Sequence, residues 1–124
     1  MKKILVLLFL LVSVSVNPQN FFFGMNKTKG VFFSATPTNV DFKHDTSACS
    51  DNTIDITSSG SWTASPSTEW IHVSSGSGSG NATITITVDS NAGVYRGNIV
   101  VLASSGFSNI VITVTQTANG DECL

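Results

Sequence analysis

Charge is what this sequence has least of. Only 11% of its 124 residues are Asp, Glu, Lys or Arg, against roughly a quarter in an ordinary soluble domain. Six basic residues face eight acidic ones, for a formal charge of -2. Setting aside residues 1–16, read below as a signal segment, leaves Lys27, Lys29, Lys43 and Arg96 against all eight acids. No basic cluster exists to neutralise phosphates, so nucleic acid is excluded as a partner. Histidine is almost as rare. His44 and His72 are the only two, and neither has a Cys, Asp or Glu at a ligand spacing such as i+2 on a strand. That argues against a transition-metal centre, and no cofactor is expected. Glu69 is the one Glu in the body of the chain, and no Asp is positioned with it as the paired carboxylates of glycoside hydrolysis require. The size, 13.1 kDa, leaves room for a single domain of about 90–110 residues and excludes a two-lobed enzyme.

What is present begins with the ends. Met1–Val16 has the layout of a secretory signal: Lys2 and Lys3, the apolar run Ile4–Val12, and a small-residue exit at Ser13-Val14-Ser15. Nine apolar residues are too few for a transmembrane helix, so no membrane span is expected. The expectation is an exported protein, secreted, periplasmic or at the cell surface. The first cysteine, Cys49, lies far from the junction, which argues against lipid attachment. Residues 17–30 read as a flexible arm whose Phe21-Phe22-Phe23 run is either a partner-binding tag or cover for the rim of the core. Residues 119–124 read as a polar, acidic tail.

Between them, residues 31–118 alternate with period 2 and are punctuated by turn residues, with no convincing helical stretch. Val31-Phe32-Phe33 and Val40-Asp41-Phe42 bracket Pro37, predicting a first strand broken in two at a sheet edge, where a missing N–H is tolerated. Ile54 and Ile56, Trp62 and Ala64, Ile71 and Val73, Ile84 to Val88, and Ile110 to Val114 give alternating strands. Gly97–Ala103 is continuously apolar through Ile99, Val100, Val101 and Leu102, as in a central strand covered on both faces. Ser75–Gly80 reads as a Gly/Ser loop without an apolar anchor. About seven strands with turns every ten residues or so predict an all-β, immunoglobulin-like two-sheet β-sandwich. Ser and Thr then supply the outward halves of the strands. In an exported chain, Cys49 and Cys123 pair by default, two free thiols being the alternative. If successive strands alternate direction, both cysteines fall at one pole.

Motifs for chemistry fail on inspection. Asp41, Asp45, Asp51 and Asp55 lack the run of a calcium loop and read as scattered solvated carboxylates. Gly76–Gly80 has neither the Lys of a phosphate-binding loop nor Ser in the register of a nucleophile elbow, and it precedes a strand. The aromatics are more informative. Trp62 shares a face with Ala64 and reads as core. Trp70 shares a face with His72, opposite Ile71 and Val73, so it is either a core or rim residue or an exposed platform for a sugar ring. In the second case Glu69 and His72 supply hydrogen bonds and Tyr95 a second contact.

Ile54–Trp62, Trp70-Ile71-His72-Val73-Ser74 before a Gly-rich loop, Val88-Asp89-Ser90-Asn91, Arg96–Val101 and Ile112–Gln116 together resemble the BACON domain, the Bacteroidetes-associated carbohydrate-binding often N-terminal module. The resemblance runs from about Phe33 to Ala118. It implies an immunoglobulin-like sandwich, bacterial export and association with glycan degradation or mucin contact. It supplies no ligand residues: the matching positions look structural, with Asn91 shaping the turn before Arg96 and Gln116 bonding backbone at a sheet edge. A catalytic partner domain is not in evidence, which favours a binder or an assembly subunit over a spacer. The resulting expectation is a non-catalytic module that binds a glycan, mucin or polysaccharide, with candidate contacts at Trp70, Tyr95, His72 and Glu69. The alternative is a structural or protein–protein interaction module.

Overall fold

A computed structural model describes residues 30–123; the signal-like segment, the arm up to Lys29 with its Phe21–Phe23 run, and Leu124 lie outside them. The described chain is all-β. Its strands are β1 (Phe33–Thr36), β2 (Asn39–Phe42), β3 (Thr53–Ser58), β4 (Ser61–Pro66), β5 (Ile71–Val73), β6 (Ser77–Ser79), β7 (Ala82–Val88), β8 (Arg96–Ala103) and β9 (Ile110–Gln116). One sheet has the order β1-β3-β7-β5, the other β2-β9-β8-β4-β6. With β1 and β2 as halves of one split strand, this is the two-sheet arrangement of an immunoglobulin-like sandwich.

Alternation builds the interior. Ile54 and Ile56 of β3, Ile84 and Ile86 of β7, Val100 and Leu102 of β8, and Ile112 and Val114 of β9 are all at most 2% exposed, while their Thr and Asp neighbours face outward. Each such burial stabilises by about 1.5–3 kcal/mol relative to exposure. Trp62 and Ala64 of β4 join the same core.

The break at Pro37 is where the chain changes sheets. The Thr36–Pro37 peptide is cis; β1 pairs antiparallel with β3, whereas β2 runs parallel to β9.

Three local expectations are corrected. The Gly/Ser run is not an open loop: Ser77–Ser79 forms β6 on the edge of β4, with Gly78 opposite Trp62. Its anchor is the Trp62 ring, whose Nε1 donates to Gly80 O at 2.9 Å. A β-carbon on Gly78 would lie 2.4 Å from Trp62 Cζ2, so the missing side chain makes room for the indole. Secondly, β8 is central but covered on one face only; Ile99 and Val101 are half-buried on the outer face. Their flanks are strands bearing Thr and Ser, which shade them without closing over them. Thirdly, Gln116 does not lie at a sheet edge, because β9 is flanked by β2 and β8. It closes one end of the sandwich instead.

The cysteines are joined. Cys49 and Cys123, 74 positions apart in sequence, form a disulfide with Cα atoms 5.6 Å apart. Cys49 follows β2 and Cys123 follows β9, so the bond sits at the pole where those parallel strands both end.

Candidate functional site

That pole gathers the polar chemistry. Arg96 opens β8 opposite Gln116, the last residue of β9, and Gln116 also pairs with Phe42 at the end of β2. Gln116 is fully buried. Its Nε2 donates to Lys43 O and Asp89 O, both at 3.0 Å, and its Oε1 accepts from Arg96 Nε at 2.8 Å. One side chain thus satisfies groups on three segments, which is what lets an amide sit in the interior. Arg96 Nη2 donates in turn to Asp89 O at 2.7 Å. The guanidinium lies flat on an aromatic, its carbon 4.1 Å from the centroid of the Trp70 ring, a contact that contributes about 0.5–2 kcal/mol.

The residues singled out from sequence have distinct placements. Trp70 lies in the turn just before β5, half-buried, packed against the core and covered by Arg96. It leaves the face of His72 because the strand's alternation begins only at Ile71, which is buried. His72 is exposed, with Nε2 2.9 Å from Asp89 Oδ1. Glu69 is exposed, with no hydrogen bond among the described residues. Tyr95, 57% exposed, follows Val94, 77% exposed. Trp70 and His72 are thus linked through Asp89 and Arg96, and Tyr95 is joined to Arg96 by the chain itself.

The Val94–Tyr95 tip is held from beneath. Asn91 is 7% exposed; its Nδ2 donates to Val94 O at 2.7 Å and to Thr117 O at 2.9 Å, and its Oδ1 accepts from Gly93 N at 3.0 Å. This fulfils the turn-shaping role read for Asn91. Sequence reasoning missed the Arg96–Trp70 stack and the hub at Gln116. The available signal was an Arg opening one strand and a Gln closing the next, 20 positions apart, both on the inward parity of their strands.

Elsewhere the surface offers less. At the opposite pole an open groove of about 380 Å³ is lined by Ser61, Trp62, Thr63, Ala103, Ser104 and Ser105. The four aspartates stay apart in their bonding: Asp45 accepts from Ser47 N, Asp51 from Thr53, Asp55 from Thr83 and Asp41 from Thr115. Among the described residues, no three His, Cys, Asp or Glu side chains converge as metal ligands.

The segment from β4 to β9 is similar to a known family. Residues 60–117 match BACON, described as "Putative binding domain, N-terminal". The resemblance to BACON is thereby borne out over residues 60–117, β4 to β9, a shorter span than the 33–118 read from sequence. A solved structure of a Bacteroides ovatus GH5 xyloglucanase in complex with a XXXG heptasaccharide is similar at TM-score 0.63 and 28% identity, over 72% of this chain and 19% of that one. The chain therefore spans about a fifth of the xyloglucanase. WR4, a Caenorhabditis elegans MSP family member, aligns at TM-score 0.46 and 14% identity over 72% of this chain and 99% of that chain. No curated protein matches the sequence.

Proposed function

We propose that this protein is an exported, non-catalytic module that binds carbohydrate, a plant polysaccharide or mucin glycan, at the pole built by Trp70, Tyr95 and Arg96. The observation that carries this reading is the exposed Tyr95 on a turn clamped by a buried Asn91. A sugar ring needs a fixed apolar surface beside hydrogen-bonding groups, and Glu69, His72 and Asp89 are exposed polar groups of the same pole. With one face on the core and the other under Arg96, Trp70 acts mainly as the support on which Arg96 rests, leaving Tyr95 as the stacking surface. The family description supports a binding role and the likeness to part of a xyloglucanase supports a glycan; the signal-like segment and the disulfide support export.

Affinity electrophoresis through xyloglucan and mucin gels tests this directly. Wild type should be retarded in at least one gel, Tyr95→Ala should migrate freely, and Trp70→Ala should lose retardation by releasing Arg96. A wild type that runs unretarded in every polysaccharide would count against the glycan reading. The exposure of Val94 favours a second reading, a protein partner, because an aliphatic side chain beside Tyr contributes more to a protein interface than to a sugar site. Retention of binding partners by wild type but not by Val94→Asp, with no retardation in any gel, would favour that reading.

A further inference from the structure

The residues after β9 are not an inert end. Thr117 N donates to Phe42 O at 2.9 Å and Asn119 N to Gly93 O at 3.0 Å, while Thr117 O receives the Asn91 amide. The N-terminal side of the Val94–Tyr95 tip is therefore bonded to the tail twice, directly at Gly93 and through Asn91, whose amide also holds Val94 O. The tail is itself fastened twice: Cys123 to Cys49, and Glu122 to Lys43 Nζ at 2.7 Å. Cys49 is tied to β2 through its N–H on Asp41 O at 2.7 Å. The path from the disulfide to the tip runs Cys123, the turn at Ala118–Asp121, Asn119, Gly93.

We infer that the C-terminal tail braces the Val94–Tyr95 tip, and that the thiol–disulfide state of Cys49 and Cys123 regulates how that surface is presented. The regulatory half rests on the reading of the tip as the contact surface. A dithiol reductant opens the bond by supplying two electrons and two protons; two thiols result and the reductant becomes a disulfide. Beyond Thr117, which Phe42 O and His44 N still hold, the tail then keeps only the Lys43–Glu122 pair and single hydrogen bonds, and partly exposed pairs of this kind are weak. Asn119 lifts from Gly93, and the turn shaped by Asn91 opens more often, while Asn91 keeps its partner at Thr117.

Amide hydrogen exchange by NMR, with and without dithiothreitol, tests the brace alongside two variants. Cys49→Ser/Cys123→Ser removes the staple. Asn119→Pro removes only the donor to Gly93 O; position 119 is the second residue of a turn closed by Asp121 N on Ala118 O with Gly120 at φ +95°, where proline is accepted. The Gly93 N–H donates to Asn91 Oδ1 and so reports opening of this turn; loss of the Asn119 bond to Gly93 O should speed its exchange about tenfold in all three cases, with Ile112 and Val114 unchanged in Asn119→Pro, whose disulfide is intact. Unaltered Gly93 exchange in the reduced protein and in Asn119→Pro overturns the brace. If the double variant does not fold, Asn119→Pro, with its disulfide intact, decides. Titration with XXXG heptasaccharide separates the two claims: weaker binding by Asn119→Pro supports regulation, and unchanged binding despite faster exchange overturns it. If oxidised wild type binds none, the contact-surface reading falls with its regulation, and the exchange result still decides the brace.

Discussion

At the scale of single residues, two positions show how a near-neutral sequence specifies this fold. Gly78 is fixed by what lies across from it. Gly78→Ala puts a methyl group into the Trp62 indole, and since that ring is held by Gly80 O, relief requires β6 to leave β4. The expected cost is about 1–3 kcal/mol, read as a lower urea midpoint with unchanged slope; a midpoint equal to wild type would show that the ring moves freely. Gln116 has the opposite character, a polar group indispensable because it is buried. Gln116→Met keeps the volume but strands Arg96 Nε and leaves the Lys43 and Asp89 carbonyls with one donor each, Thr46 N and Arg96 Nη2. A loss of about 1–3 kcal/mol follows, the cost of one buried group left without its partner. Neither residue announces itself in sequence: Gly78 sits among other glycines and serines, and Gln116 ends a strand of alternating Thr, where an exposed polar residue is the ordinary expectation.

At the scale of elements, the strands were legible wherever apolar and hydroxyl residues alternate, because burial on one face is the force that sets the pattern. The Ile84–Val88 and Ile110–Val114 strands and the break at Pro37 follow from that rule. β6 was illegible since it carries no apolar side chain; backbone pairing to β4 and the room left for Trp62 make it a strand. Trp70 was read on the face of His72, yet alternation holds only inside a strand and Trp70 precedes one. Of the candidate site, the aromatics were visible but the Arg96 stack was not, because it depends on which strands become neighbours.

The connection between β2 and β3 adds a pH dependence. Asp45 is held below the ordinary carboxylate range by the Ser47 backbone N–H, and Asp51 by the hydroxyl and then the N–H of Thr53. A carboxylate that is more acidic in the folded chain than in the unfolded one stabilises above its unfolded pKa, and that contribution disappears as pH falls through the folded value. Urea unfolding followed downward in pH should therefore lose less stability in Asp45→Asn/Asp51→Asn than in wild type. Parallel profiles would remove these caps from the acid response.

At the scale of the whole molecule, the disulfide closes a loop that holds β3 to β9. Restricting so long a loop in the unfolded chain stabilises by at most about 4.5 kcal/mol. Cys49→Ser/Cys123→Ser should lower the denaturation midpoint accordingly, more than any surface substitution. A midpoint within error of wild type would mean that the unfolded chain gains little freedom from the cut. The same closure determines how the molecule carries tension. A pull on its two ends passes from β2 to Cys49, across the sulfur bridge to Cys123, and out, bypassing every strand in between. The enclosed strands take load only through the pairing of β1 with β3 and of β2 with β9, and the chain can pay out only residues beyond the bridge until a reductant releases the 74 positions it spans.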